Sequence, residues 1–159
     1  MKSLKLLTTA AFTAALAAIA TAASAGTCPA DQMRADARTA GETMPAKVTD
    51  TELAFVALGG EINGLDNRRL RLRRLVVQPG GVVPWHSHTD RPALIMTVSG
   101  QITEFNSTCA VGIVHKAGDV AQEKKGVSHW WKNTGKVPAV LIAADIKNDA
   151  DTTAAADHM

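Results

Sequence analysis

Three histidines are the residues best spaced to do chemistry in this 159-residue chain. His86 and His88 stand two apart in the run Val82-Val-Pro-Trp-His-Ser-His88. On a β-strand, residues two apart share a face. Both imidazoles then point the same way, while Trp85 and Ser87 point the other way. Two neutral imidazoles on one face can share a metal ion, and their nitrogens suit Fe, Mn, Ni, Cu or Zn. His129 supplies a third imidazole from a later segment, Ser128-His-Trp-Trp-Lys132, which also reads as a strand. A His-x-His pair alone is a weak signal. The pair and the later histidine together, each framed by spaced glycines, form a strong one.

The elements that must position these side chains are β-strands. From Thr51 the chain runs as short apolar or alternating stretches separated by glycine turns. Strands are expected over 53–58, 69–77, 82–88, 93–98, 101–106, 111–115, 119–122, 129–132 and 139–146. Gln78-Pro-Gly-Gly81 is read as a turn between two of them. Many short strands at this spacing indicate a sandwich or a closed barrel. The run Arg69-Leu-Arg-Leu-Arg73 alternates with period two. Its arginines, with Arg68 and Arg74, are expected on the wet face, their stems covering apolar surface. An anion-binding face is the other reading.

The spacing of the glycines and histidines resembles the cupin superfamily. The first cupin motif is Gly, five residues, His-x-His, three or four residues, Glu, six residues, Gly. Gly80, His86, His88 and Gly100 match it. The second motif is Gly, five residues, Pro-x-Gly, two residues, His, three residues, Asn. Gly118, Gly126, His129 and Asn133 match it with every spacing intact. The resemblance covers about residues 51–147. It implies a small single-domain cupin of the RmlC-like kind: an all-β double-stranded β-helix, or jelly-roll barrel, holding one divalent metal ion at His86, His88 and His129. It also implies a homodimer.

Two positions depart from the pattern. Lys124 replaces the proline of the second motif, which alters only a turn. Ala93 stands where the first motif has its metal-binding glutamate, and alanine cannot ligate. Three readings are open. The site is a neutral three-histidine centre that favours anionic or chelating ligands. Or a substitute ligand takes the glutamate's place, with Gln122, Glu123 and Asp90 as candidates. Or the fold remains without the metal.

Other residues have expected roles. Trp131 shares the face of His129 and lines the pocket or packs the core. Arg91, in a loop by the pocket mouth, is a candidate to pair a substrate carboxylate. His115 is expected at the surface or rim. Trp85 is expected against the N-terminal arm or a partner subunit.

The ends of the chain carry their own signals. Residues 1–25 have Lys2 and Lys5, then an apolar run closing on Ala23-Ser-Ala25, the pattern of a cleaved signal peptide. A periplasmic or secreted protein follows, with no membrane attachment after cleavage. Residues 26–50 form a polar arm with a short helix expected over 31–43, and residues 148–159 a frayed tail. In an oxidising compartment Cys28 and Cys109 are expected to form a disulfide. The chain has 17 basic and 15 acidic residues, and the leader holds two of the bases and no acid, so the remainder balances at 15 each. No basic stripe argues for nucleic acid.

The functional expectation is a metal-dependent enzyme, of the small dioxygenase kind, acting on a small anionic or chelating molecule. The alternative is a non-catalytic module that binds or senses a metal or small ligand. A scaffold is the third reading.

Overall fold

The computed structural model describes residues 26–150. The expected signal peptide, the tail beyond residue 150 and His158 lie outside them. Eight strands follow in order: β1 (Ala46–Ala57), β2 (Arg68–Ser87), β3 (Ala93–Ser99), β4 (Gln101–Asn106), β5 (Ile113–Lys116), β6 (Val120–Glu123), β7 (Ser128–Lys132) and β8 (Ala139–Asn148). Every pairing is antiparallel, in the order β5-β4-β7-β2-β8-β3-β6, with β1 added on β2. The result is a nearly closed jelly-roll barrel. Among the described residues no helix is long and apolar enough to cross a membrane.

The long strand β2 ties the two halves of the barrel together. Its first part, Arg69 to Val77, lies between β1 and β8, and its last part, Val82 to Ser87, pairs with β7. The expected turn at residues 78–81 is instead a kink inside one strand. Gly80 takes the left-handed φ of +75° that a side chain would resist. Backbone bonds from Gly80 N to the Asn133 carbonyl (2.9 Å) and from Asn133 N to the Gly81 carbonyl (3.0 Å) hold the bend. The Asn133 side chain donates to the Val77 and Val137 carbonyls, both at 2.8 Å. The motif asparagine is thus the staple of this corner.

Alternation along β3 and β8 places Ala93, Ile95, Ala139, Leu141 and Ala143 inside, where they meet Leu75, Val77, Val83, Ile102, Ala121 and Trp131. On β2 the face is the reverse of the one expected. Arg71 and Arg73 are 3% and 5% exposed, while Leu70 and Leu72 are 45% and 38% exposed. Period two says which residues share a face but not which face turns inward. The inward choice stands because buried carboxylates meet the arginines. Arg71 makes a two-pronged pair with Asp145 at 3.0 and 2.8 Å, and Arg73 pairs with Asp50.

The helix expected over 31–43 does not form. Only a single 3-10 turn, Ala30–Gln32, appears. A short isolated segment without an apolar stripe gains too little to nucleate a helix. The arm is held by strand contacts instead. Arg34 N bonds the Thr108 carbonyl (3.1 Å), Trp85 N bonds the Glu42 carbonyl (2.6 Å), and Cys28 is disulfide-bonded to Cys109. Gly41 lies so close to Trp130 that a Cβ there would fall 2.1 Å from the indole.

Candidate metal centre

His86 and His129 are direct partners in the β2–β7 ladder, so their side chains share the inner face. His88 follows just beyond the end of β2, where its N–H bonds the Val127 carbonyl at 2.8 Å. The three Nε2 atoms form an equilateral triangle of side 3.0 Å. Each opposite ring nitrogen has an acceptor. His86 Nδ1 donates to the Pro84 carbonyl (2.8 Å), His88 Nδ1 to the Arg91 carbonyl (2.6 Å) and His129 Nδ1 to Glu104 Oε1 (2.9 Å). These acceptors assign the proton to Nδ1 and leave a lone pair on every Nε2.

Burial, reinforced by His129 and His88, holds the His86 pKa well below its ordinary value. Burial, then His129, lowers His88 to about 3. Both imidazoles are therefore neutral at physiological pH. Three converging lone pairs with no proton between them repel one another unless a cation stands among them. At a metal–nitrogen bond of about 2.0–2.1 Å, donors so spaced subtend about 90° at the ion. The donor set therefore fits a divalent metal ion bound through one face of an octahedron.

The sequence reading missed Glu104. Its Oε1 accepts from His129 and from Asn106 Nδ2 (2.7 Å), and its Oε2 accepts from His115 Nε2 (2.9 Å). Burial opposes ionisation of this carboxyl, but the bonds from His115 and His129 outweigh it and hold it well below the usual carboxylate range. The signal was available: Glu104 is two residues from Ile102, which is fully buried. His115 is a correction as well. Rather than lying at the surface, it is 2% exposed and anchored to Glu104, its ring 4.8 Å from that of Trp131. A buried acid needs donors, and His115 is one of them.

The candidates for the missing fourth ligand separate cleanly. Gln122 is exposed on the outer face. Asp90 is exposed and paired with Arg68 at 2.7 Å. Glu123 points inward, directly across the β3–β6 ladder from Ala93, and is 2% exposed. Its Oε1 lies 3.4 Å from His129 Nδ1, on the side of that ring away from the Nε2 triangle. Its buried Oε2 has no hydrogen-bond partner. Burial, then the Glu104 charge, pushes its pKa up to about 9. This carboxyl, across the ladder from Ala93, thus stays protonated unless a cation arrives.

Arg91 does not stand free at the mouth. It is buried, and its Nε lies 3.7 Å from Asp145 Oδ2. Its backbone carbonyl orients His88. Trp131 is buried beside the triad, its Nε1 3.1 and 3.3 Å from the two nitrogens of His129, so the indole N–H meets the ring. Next to His86 and His88 is a cavity with about 20 Å³ of free space, lined also by Arg73, Ala93, Ile95 and Trp131. That is room for one water-sized guest.

Comparison with known proteins adds the family. The cupin domain model matches residues 73–145. Nectarin-1 of Nicotiana plumbaginifolia is 30% identical over 87 residues, covering 53% of this chain and 38% of that protein. Germin-like protein subfamily 2 member 1 of Arabidopsis thaliana is 35% identical over 86 residues, covering 52% and 39%. The chain thus spans well under half the length of these two relatives. A predicted oxalate decarboxylase from Thermotoga maritima shares the fold with a TM-score of 0.51 at 24% identity, covering 62% of this chain and 79% of that one. An oxalate oxidase in complex with the substrate analogue glycolate gives a TM-score of 0.50 at 19% identity, covering 70% and 56%.

Proposed function

Since this chain is a cupin, with its cupin domain at residues 73–145, we propose that it binds one divalent metal ion through His86, His88 and His129 and uses it to oxidise a small anionic or chelating molecule. The observation that carries this reading is the triangle of three Nε2 atoms 3.0 Å apart. A facial set favours Mn or Fe over the tetrahedral preference of Zn. When bound, the ion would act as a Lewis acid and supply open positions for substrate and dioxygen.

The protein's own residues prepare the site. Glu104 holds the His129 ring and makes it a stronger donor by accepting its Nδ1 proton. The Pro84 and Arg91 carbonyls do the same for His86 and His88. Trp131 and the apolar wall limit water. With Ala93 in place of a carboxylate, the three histidines bring no negative charge to the ion, whose charge then draws anions. Glu123 is the side chain we propose as a charge partner of the ion, held behind His129 rather than in the Nε2 triangle, because its buried Oε2 has no hydrogen-bond partner.

The test is elemental analysis of the purified protein, followed by oxygen-consumption assays with Mn and Fe on oxalate, glycolate, catechols and keto acids. A stoichiometric metal that is lost in His129→Ala, with turnover of one class, is the expected result. Absence of any bound metal would overturn the reading.

The size of the cavity favours a second reading, a non-catalytic module that captures a small ligand. It would show ligand-induced stabilisation without turnover. At a 100-fold excess over Kd this amounts to about 2.7 kcal/mol.

We also propose export to the periplasm or beyond, which the Cys28–Cys109 disulfide supports. The partner we propose is a second copy of the chain. The outer face of β1, β2, β8, β3 and β6 carries aligned apolar side chains. Leu72 pairs with Ala144, and Ala144 with Leu94. Leu70, Leu72, Leu94, Met96 and Val120 are between 38% and 55% exposed. An apolar face of this breadth is a contact surface.

A further inference from the structure

Gly26 packs against the carboxylate of Asp119. Its N donates to the Val114 carbonyl at 2.8 Å. It takes a left-handed φ of +80°. A Cβ there would fall 3.0 Å from Asp119 Cγ and 3.2 Å from Asp119 Oδ2. The backbone comes this close because residue 26 has no side chain. Asp119 is held in place by the turn between β5 and β6. Its N bonds the Lys116 carbonyl (2.9 Å), its carbonyl accepts from Thr97 N (3.0 Å), and its Oδ2 accepts from Lys116 N (2.8 Å). A carboxylate is thus fixed beside Gly26 on a turn tied to β3 and β5.

The residues before Gly26 give this contact a meaning. Ala23-Ser-Ala25 has the small-x-small pattern of a leader cleavage site, and Gly26 follows it directly. With the Ala25–Gly26 bond intact, the Gly26 nitrogen is a neutral amide with one N–H, and the Val114 carbonyl takes it. A signal peptidase adds water across that bond. Ala25 leaves with the new carboxylate, and Gly26 keeps the nitrogen as an ammonium. The ammonium has three N–H donors and a positive charge at neutral pH. One donor keeps the Val114 carbonyl, and the charge arises beside Asp119. Capture of a terminal amine by fixed acceptors is a recurrent recognition mode.

We propose that the Val114 carbonyl and the Asp119 carboxylate form a docking site for the α-ammonium that leader cleavage creates at Gly26. The docked end braces β5, an edge strand whose His115 anchors Glu104. It lies two residues before Cys28, whose disulfide to Cys109 fixes the next point of the arm. Cleavage thereby adds an ion pair that the uncleaved chain cannot make. The inference rests on the export reading for the cleavage alone.

The test expresses the full chain with its leader in an exporting host, then reads intact mass and Tm. The expected mass is that of a chain starting at Gly26. One alanine inserted between Ala25 and Gly26, with cleavage before it confirmed by mass, moves the ammonium one residue away and leaves the Gly26 N–H for Val114. It is expected to lower Tm by about 2–4 °C, the reach of one ion pair in a domain of this size. Asp119→Asn keeps an acceptor for Lys116 N and removes the charge. It is expected to lower Tm by a similar amount, and in its background the insertion is expected to change Tm no further. Acetylation of the Gly26 amine at about pH 6.5, where lysines stay protonated, keeps one N–H and removes the charge. It is expected to lower Tm in the wild type and not in Asp119→Asn. Insertion and acetylation effects that are the same in both backgrounds would overturn the docking site. The two readings fail differently. A mass that retains the leader sinks cleavage and docking together. A chain starting at Gly26 whose Tm is indifferent to Asp119 sinks docking alone.

Discussion

Glu104 joins His129 to His115: one carboxylate oxygen accepts from His129 Nδ1 and the other from His115 Nε2, each at 2.9 Å. The pairing sets which His129 nitrogen faces the centre. Glu104→Gln keeps the shape but offers one acceptor where two N–H groups need one each. Metal affinity is expected to fall about 10–100-fold, as it does for outer partners of ligating histidines. Chelator competition would measure it. An unchanged affinity would show that Glu104 has no role in orienting the ligand.

Metal-free protein should have a narrow range of stability against pH. His88 titrates at about 3 when folded and near 6.5 when unfolded, so its neutral form contributes stability that is complete above 6.5 and lost as pH falls toward 3. Glu123 runs the other way. It is raised to about 9 from 4.5, so its contribution is complete below 4.5 and lost as pH rises toward 9. Each limb has a slope of about 1.4 kcal/mol per pH unit per group. Urea denaturation at several pH values should show that Glu123→Gln flattens the alkaline limb alone. An alkaline limb unaltered by that change would refute the assignment.

Loading with metal should remove much of that alkaline penalty, because a nearby cation favours ionised Glu123. The rise in Tm on adding Mn is therefore expected to be larger at pH 8 than at pH 5.5. His129→Ala should abolish the rise at both.

The disulfide spans a sequence separation of 81 and ties the arm to the barrel. Chain entropy assigns such a closure about 4–5 kcal/mol. Cys28→Ser with Cys109→Ser is expected to lower unfolding free energy by an amount approaching that value, measured by denaturant titration. Mass spectrometry of unreduced protein is expected to find no free thiol.

If the outer sheet face joins two copies, Leu72→Asp with Leu94→Asp should convert a dimer to a monomer in sedimentation while metal content is unchanged. Wild-type protein that remains monomeric at high concentration would exclude the self-association.

What the sequence determined by itself was the part encoded in spacing. His86 and His88 share a face on any strand, and the glycine positions around them, with His129 and Asn133, led to the barrel. Short alternating runs sufficed for an all-β fold. What only the tertiary structure decided was parity, depth and partnership. Arg71 and Arg73 lie inside and Leu70 and Leu72 outside, because Asp145 and Asp50 come from other strands to neutralise the arginines. Glu123 was separated from Gln122 by its register opposite Ala93. Glu104 and His115 belong to the site through contacts between β4, β5 and β7. Periodicity is a local property of one strand. Which face is buried, and what meets a side chain there, depend on residues tens of positions away, and only folding brings them together.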